Sequence, residues 1–449
     1  MCILLEPFKI TVSCVQNLQG NNLWARFIKN ATRIRVLELS WYQGLCEHLQ
    51  ALGEHQTGHQ PVFRNLRDLS CFNLRLEVAE HLPLFLNPNL VHFRLGRHPP
   101  VPAEVTILTL DYLVKTCPRL QTLHCHASSE TQTDRIVTKF PDLVEFGTEG
   151  AVSPSVFRHF TKLPRLERLN LTGFTHPVHG IPEPSDDPTF AQLFSLQLSI
   201  ANETDGSRLV RLIRSKGFQR LRIAFPGISN TENIGEFLNT LHTNHPNITY
   251  FAIASLAMSP HDVHIIGPPV SIRVFTSFRF LTSLIIAHHG ISFKEDDIEP
   301  LGKGCPQLSH IDMASGWLYT PLPYAVLPVS AFEKFAMHIP HLVELCIDLD
   351  TSTVHEAPEP TTRQATALLD MRLHHNAIDE ADALPLAMYI SDIYPEADVT
   401  SPPYLAMGVV ASPVDKLWLS VQEGVVLFTQ ARQRELERFG SQSATYPAE

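Results

Sequence analysis

One arrangement of apolar and polar positions recurs along this chain, and residues 164–171 (P-R-L-E-R-L-N-L) are its clearest copy. The pattern is proline, any residue, apolar, two variable residues, apolar, one variable residue, apolar. Thirteen units of it can be aligned, with a mean spacing of about 28 residues and individual spacings from 23 to 34. They open at Ile34, Leu66, Leu90, Leu120, Leu143, Leu166, Leu193, Phe218, Ile248, Leu281, Leu308, Leu342 and Leu368. The chain is therefore predicted to be built from repeated structural units.

The last apolar positions of each unit have the period of two that is typical of a β-strand. In the copy above, Leu169 and Leu171 are predicted to point inward, while Arg168 and Asn170 point outward. Helical patterns lie between the strands and several end just before a proline, which cannot continue a helix. These predicted helices span residues 107–116, 133–139, 207–216, 233–243, 297–302 and 332–339. A strand followed by a helix or turn, repeated about every 20–29 residues, predicts an α/β leucine-rich-repeat solenoid.

In that solenoid, a horseshoe, parallel strands lie on the concave face and helices or irregular turns on the convex face. The predicted boundaries are a cap segment at residues 1–33, about 13 irregular repeats at 34–375, a helical cap at 376–439 and a disordered tail at 440–449. Caps are expected because a repeat array exposes apolar surface at each end. A short amphipathic helix with Trp24, Phe27 and Ile28 on one face serves the first end, and helices at residues 384–394 and 415–439 serve the second.

Composition narrows the function classes. The chain of 449 residues is 44% hydrophobic and 18% charged, which is typical of a soluble protein with a large core. Its net charge of −11 disfavours nucleic acid as a partner. No signal-peptide pattern or membrane-spanning run occurs, and the eight cysteines form no C-x-x-C pair. We therefore expect a cytoplasmic or nuclear monomer that does not contact a membrane.

The outward strand positions define a candidate contact surface of mixed charge. An apolar floor around Ala252, Ala254, Ile285 and Ala287, ringed by charged side chains, is typical of a site that binds another protein. The predicted protein-binding residues are His92, Arg94, His124, His126, Glu145, Arg168, Asn170, Arg220, Arg222, Tyr250, Asp312, Glu344, Asp348 and Arg372.

His92, Arg94, His124 and His126 lie on two neighbouring predicted strands, with Glu145 on the next. Three interpretations remain open for this group: a metal site, a patch whose charge changes with pH, and ordinary solvated surface. Arg94 would repel a cation, so no metal ligand is predicted. The sequence contains no G-x-S-x-G, P-loop or H-E-x-x-H motif, so neither an enzyme nor a cofactor is predicted.

Several segments resemble the F-box/leucine-rich-repeat proteins of mushroom-forming fungi. They are residues 24–27 running into 31–37, the C-P-x-L strings at 117–120 and 305–308, the P-x-L string at 340–342, and residues 384–395. The resemblance implies a substrate-recognition module of a cullin-type ubiquitin ligase. No F-box opening of the L-P-x-E-I/L type precedes Trp24, so a cullin adaptor is expected as a partner only if an F-box is supplied upstream. The alternative is a leucine-rich-repeat scaffold or inhibitor that has no connection with ubiquitin.

Overall fold

The computed structural model describes most of the chain. The described residues are 2–3, 10–11, 21–40, 45–54, 61–72, 75–96, 103–125, 137–150, 152–171, 178, 181, 189–225, 228–255, 264–313, 326–357, 370–373, 378–400 and 413–443. The chain divides into two compact units. Unit 1 comprises Met1–Ala201 with Arg211–Phe218, and unit 2 comprises Asn202–Val210 with Gln219–Glu449.

Unit 1 is built on a parallel sheet, and each of its strands pairs with the next strand along the chain. The sheet strands in its described part are β1 Val36–Ser40, β2 Asp68–Phe72, β3 His92–Leu95, β4 Thr122–Cys125, β5 Glu145–Thr148, β6 Arg168–Leu171 and β7 Ser195–Ser199. The helices in its described part include α1 Asn21–Ala31, α2 Leu45–Glu54, α3 Leu76–Ala79, α4 Ala103–Thr116 and α5 Pro154–Lys162, with a 3-10 turn at Leu82–Leu84. Cys2–Ile3 and Ile10–Thr11 form a small antiparallel pair.

Unit 2 repeats this architecture. Its sheet strands are β8 Arg220–Phe225, β9 Tyr250–Ser255, β10 Ser283–Ala287, β11 His310–Asp312, β12 Glu344–Asp350, β13 Asp370–Leu373 and β14 Asp398–Thr400, all parallel. The strand Val326–Pro328 also pairs with β12. Two small parallel pairs join Ile228–Asn230 with His264–Ile266, and Val270–Ser271 with Ile291–Ser292.

The helices of unit 2 include α6 Glu203–Leu212, whose last two residues belong to unit 1. The others are α7 Thr231–Asn244, α8 Ile298–Gly304, α9 Ala331–His338, α10 Glu380–Ile393 and α11 Pro413–Ser443. Short 3-10 helices occupy Ile272–Ser277, Glu295–Asp297 and Thr351–His355.

The strands of each unit are aligned without offset, so equivalent residues form rows across the sheet. In unit 1 the first row includes Glu145 opposite Arg168, and the second includes Gly147 opposite Asn170. Backbone hydrogen bonds fix this register: two successive amides at the start of a strand donate to a single carbonyl of the preceding repeat. Val144 and Glu145, for example, both donate to the Gln121 carbonyl. The rows therefore bring distant parts of the sequence side by side.

The apolar positions of the repeats form the core. Leu166 and Leu169 are 0% and 1% exposed, whereas Arg168 between them is exposed. Aromatic side chains join strands to the elements that cover them, as in the pair Phe146 and Phe160, whose ring centroids are 4.9 Å apart. Helices and 3-10 turns thus cover the apolar side of each sheet and leave the other side to polar residues. We name that other side the strand face.

The structure confirms the predicted repeat pattern. Each of the thirteen predicted opening residues stands two positions before a sheet strand, from Ile34 before β1 to Leu368 before β13. Helices α4, α6, α7, α8 and α9 match five of the predicted helices to within a few residues. The predicted helix at residues 133–139 lies mostly outside the described residues.

The predicted end of the repeats at residue 375 is wrong, because β14 adds a further parallel strand beyond β13. In the usual unit the buried strand residue stands three positions after the opening residue, as with Leu342 and Leu345. In the last unit Ala397 and Val399, which are 8% and 2% exposed, stand only two positions apart. This contraction removes the repeat's signature from the sequence. Helix α11 also continues to Ser443, so the predicted disordered tail is helical over residues 440–443.

Within the described residues, no helix combines the length and the apolar character that crossing a membrane requires.

Candidate functional site

On the strand face of unit 1, three side chains from adjacent strands form a continuous chain of polar contacts. His124 Nε2 lies 2.8 Å from Glu145 Oε1. The other carboxylate oxygen, Oε2, accepts two hydrogen bonds from the Arg168 guanidinium, from Nε at 2.9 Å and from Nη2 at 2.7 Å. The aligned register places these residues on β4, β5 and β6 within reach of one another. The two partners therefore occupy both oxygens of Glu145.

The charge of Glu145 is stabilised by these neighbours. Hydrogen bonding from His124 and Arg168 lowers the pKa of Glu145 from 4.5 to about 2, although partial burial opposes the shift. Its side chain is only 17% exposed, whereas that of Arg168 is 50% exposed. Glu145 is thus an ionised residue held inside a largely self-neutralised cluster.

Gly147 makes room for this cluster. A Cβ atom at position 147 would collide with Nδ1 of His124, so the imidazole occupies the space above a missing side chain. Asn170, next in the same row, is partly buried, and its Oδ1 has no hydrogen-bond partner. The sequence pattern correctly predicted that His124 and Glu145 lie on neighbouring strands. It did not indicate that a glycine on the neighbouring strand makes room for the histidine.

The other predicted residues of unit 1 have varied positions. His92 Nδ1 lies 2.8 Å from Thr122 Oγ1 on the next strand, and Arg94 is exposed. His126 lies outside the described residues. Among the residues that the structure describes, no group of three or more histidine, cysteine, aspartate or glutamate side chains is placed to hold a metal ion.

In unit 2, one end of the strand face is basic and aromatic. The Arg220 guanidinium stands over the ring of Tyr250, with the carbon of the guanidinium 4.7 Å from the ring centroid, which is a cation–π geometry. Arg222 projects from the same strand in the second row. Burial raises the pKa of Tyr250 despite the opposing charges of Arg222 and Arg220. The phenol is therefore neutral at physiological pH, and the two arginines give this end its positive charge.

The middle of this face is smaller and less apolar than the sequence predicts. Ala252 and Ala287, which were expected to form its floor, are 3% and 1% exposed. Ala254 and Ile285 are partly exposed. An alanine side chain is short, so larger neighbours shield it from solvent. The accessible floor therefore consists of Ile285 and part of Ala254.

The other end of the unit 2 face is acidic. Arg372 Nη2 lies 3.1 Å from Glu344 Oε1 and 2.9 Å from Asp370 Oδ2. Asp312 stands in the second row and accepts a hydrogen bond from the buried Cys346 thiol, whose pKa is raised mainly by burial. Asp398 on β14 is exposed in the first row. Of the four carboxylates at this end, Glu344 and Asp370 contact the guanidinium of Arg372.

Asp348 does not lie on the accessible face, contrary to the sequence prediction. It is 0% exposed. The strand Val326–Pro328 pairs with β12 at this point and sets Val326 opposite Asp348. Asp398 shows the opposite error, because the contracted last repeat concealed it. The face accordingly loses one predicted acidic residue and gains another.

Several cysteine side chains and one histidine away from these faces are buried. Cys71, Cys117, Cys125 and Cys305 are buried free thiols. Burial raises the pKa of all four, to about 12 for Cys117, Cys125 and Cys305, so they are protonated. His288 is 1% exposed, and burial lowers its pKa to about 3. Its Nδ1 accepts a hydrogen bond from the Gly290 amide. These groups contribute to the core.

The class that the geometry defines is an array of parallel strand-and-helix repeats of the leucine-rich type, with a polar strand face in each unit. No family model matches the chain, and no curated protein matches it. Solved structures with a similar fold include a chain of the yeast Rad7 and Elc1 complex. It has 13% identity and a TM-score of 0.43, with 90% of this chain and 100% of that one covered.

Two further solved structures are similar. An internalin (inlF) from Listeria monocytogenes has 11% identity and a TM-score of 0.37, with 82% of this chain and 94% of that one covered. A chain of the Toll–Spatzle complex of Drosophila has 12% identity and a TM-score of 0.38, with 84% and 53% covered. Similarities this distant carry no functional inference.

Proposed function

We propose that this chain is a non-enzymatic, protein-binding leucine-rich-repeat solenoid. The observation that carries the proposal is the strand face of unit 2, on which an Arg220 and Tyr250 cation–π pair, a partly apolar middle and an acidic end lie along aligned rows. Tyrosine and arginine are, with tryptophan, the side chains enriched among the residues that contribute most of the binding energy of protein interfaces. A row of such groups offers a partner several contacts at once.

We further propose that the chain acts as a substrate-recognition module related to the F-box receptors of cullin-type ubiquitin ligases. This role rests on the resemblance of residues 24–37, 117–120, 305–308, 340–342 and 384–395 to that family, and its setting would be the cytoplasm or the nucleus. A scaffold or inhibitor without any connection to ubiquitin is the competing function.

Co-purification distinguishes the two functions. The chain is expressed with and without an F-box fused upstream, and purified at micromolar concentration with a cullin adaptor. The fused chain is expected to bind the adaptor and to promote ubiquitylation of proteins that the repeats capture. Capture without ubiquitylation by the fused chain would favour the scaffold or inhibitor.

The binding surface itself is tested with Tyr250→Ala and with Tyr112→Ala as a matched control, since Tyr112 lies on helix α4 rather than on a strand face. Captured proteins are expected to be lost with Tyr250→Ala and kept with the control. Equal capture by both variants would show that partners do not use the strand face of unit 2.

A further inference from the structure

Charge on the strand face of unit 2 is separated along the rows. The first row runs Arg220, Tyr250, Ser283, His310, Glu344, Asp370 and Asp398, and the second runs Arg222, Ala252, Ile285, Asp312, Cys346, Arg372 and Thr400. The two arginines of β8 stand at one end, and most of the carboxylates lie on β12, β13 and β14. An acidic side chain of a partner is therefore favoured at the β8 end, and a basic one at the end formed by β12, β13 and β14.

Unit 1 also has carboxylates at the β1 and β2 end of its rows, Glu38 and Asp68, but the centre of its face is neutralised. Its best-placed carboxylate, Glu145, contacts His124 and Arg168 through both oxygens, so opposite charges neutralise one another within neighbouring strands. In unit 2, by contrast, the single guanidinium of Arg372 pairs with two carboxylates, those of Glu344 and Asp370. The acidic end therefore keeps a net negative charge. Charge complementarity thus points to unit 2 as the surface that selects a charged partner.

The distance between the charged ends sets the length of the partner segment. Four strand steps separate β8 from β12 in the sheet order. Parallel strands lie about 4.8 Å apart, so these steps span roughly 19 Å. An extended chain advances about 3.3 Å per residue, and about six residues therefore cover the same span.

We propose that the strand face of unit 2 binds an extended segment of a partner protein that carries an acidic and a basic side chain about six residues apart. The acidic side chain pairs with Arg220 and Arg222, and the basic one with Glu344, Asp370 and Asp398. Between them, a small or apolar residue of the segment lies over Ile285 and Ala254. The inference rests on the proposed protein-binding function and specifies the chemistry of the partner.

The test is a selection of random 12-residue peptides, displayed on phage, against the full purified chain. Enriched peptides are expected to contain an aspartate or glutamate and a lysine or arginine five to seven positions apart, a span that follows from about 3.3 Å per residue. Enrichment of uncharged or purely hydrophobic peptides would overturn the proposal, and so would the absence of any enrichment.

Charge reversal then locates the bound peptide. Arg220→Glu is expected to weaken an enriched peptide by about tenfold or more, and exchange of the peptide's acidic residue for lysine is expected to restore binding. The matched control is Arg158→Glu, which reverses an exposed arginine on helix α5 and should leave the affinity unchanged. A third variant, Arg94→Glu, reverses an exposed arginine on the strand face of unit 1 and tests that face as the alternative site.

Failure of this inference can be distinguished from failure of the proposed function. Peptides that lose affinity with Arg94→Glu but not with Arg220→Glu would overturn the inference while leaving protein binding intact. The inference would also be overturned, with protein binding intact, if no peptide is enriched but the wild-type chain captures proteins that the Tyr250→Ala variant does not. Lack of both peptides and captured proteins would overturn the inference and the proposed function together.

Discussion

At the scale of single residues, the strand faces depend on side chains that are held by neighbours from other repeats. Glu145 shows this most clearly, because its partners His124 and Arg168 come from the preceding and the following strands. None of the three is adjacent to another in sequence. Their contacts arise because each strand is aligned with the next, so the properties of one residue depend on two other repeats.

Glu145 is expected to make stability depend on acidic pH. A carboxyl whose pKa falls from 4.5 in the unfolded chain to about 2 in the folded one stabilises the fold fully above pH 4.5. That stabilisation is lost as the pH falls from 4.5 through 2. Its size is on the order of 2 kcal/mol, less than the full shift implies at about 1.36 kcal/mol per pH unit, because Arg168 is half exposed.

Urea denaturation of the wild type and Glu145→Gln between pH 7 and pH 2 measures this contribution. The difference in unfolding free energy is expected to be fully present above pH 4.5 and to shrink as the pH falls below it. Glu167→Gln, which changes an exposed glutamate outside the cluster, is the control. A difference that stays constant across the range would contradict the role given to Glu145.

Gly147→Ala is expected to destabilise the fold by roughly 1–3 kcal/mol, because the added methyl group collides with the His124 ring in a packed site. The same substitution in a His124→Ala background should cost almost nothing, since the obstructing ring is gone. Denaturant titration of the four proteins in this double-mutant cycle gives the coupling. An equal cost in both backgrounds would locate the strain elsewhere.

At the scale of elements, hydroxyl side chains at the starts of strands in unit 2 join each repeat to the preceding one. Thr282 Oγ1 donates to the Thr249 carbonyl at 2.9 Å, and Ser309 Oγ donates to the Thr282 carbonyl at 3.1 Å. These bonds supplement the paired backbone amides that already bind the same carbonyls. Successive strands are thus fixed by both side chain and backbone.

Thr282→Val keeps the shape of the side chain but removes this bond, and should lower the unfolding free energy by about 1 kcal/mol. Thr249→Val is the matched control, because its hydroxyl donates to the Gln219 carbonyl at the longer distance of 3.4 Å. Chemical denaturation should show the smaller loss for the control. A larger loss for Thr249→Val would mean that the hydroxyl bonds do not determine the difference.

The elements also show what the sequence could predict. Strand positions followed from buried residues such as Leu166 and Leu169, because a period of two and a repeated spacing are both local signals. Asp348 could not be placed correctly, since its burial depends on the strand Val326–Pro328, whose pairing with β12 is not a feature of the repeat. Nor did spacing reveal β14, whose unit is one residue shorter.

For the site residues, too, local sequence signals were predictive and contacts between repeats were not. Which side chains point outward could be predicted from alternation along each strand. Which of them pair could not, because the pairing of Arg220 with Tyr250 and the space above Gly147 depend on contacts between repeats. The apolar floor was overestimated for a similar reason: the exposure of Ala252 depends on the size of its neighbours.

At the scale of the whole molecule, the last two helices close the end of unit 2. Helix α11 buries Trp418, Val421 and Val425, and Gly424 lets it approach helix α10 so closely that a Cβ would lie 2.8 Å from the Cβ of Ala387. Arg432 Nη2 pairs with Asp392 at 2.6 Å. An array of repeats needs such closure because its terminal repeat otherwise exposes core.

Deletion of residues 413–449 is therefore expected to lower the melting temperature by at least about 5 °C and to promote aggregation, since apolar surface on helix α10 and β14 becomes exposed. Deletion of residues 444–449 alone is the control and should leave melting unchanged. Differential scanning calorimetry with light scattering measures both effects. Identical melting of the two deletions would show that helix α11 does not serve as a cap.

The aligned rows of unit 2 have a consequence for how such a surface can evolve. Gain or loss of one complete repeat between β8 and β12 would move Arg220 and Glu344 apart or together by a single strand step, about 4.8 Å, without disturbing the rows themselves. The distance between the two charged ends therefore changes only in steps of one strand. Recombination within the gene that adds or removes whole repeats would change the length of the partner segment that fits the surface. Every residue at the two charged ends would stay the same.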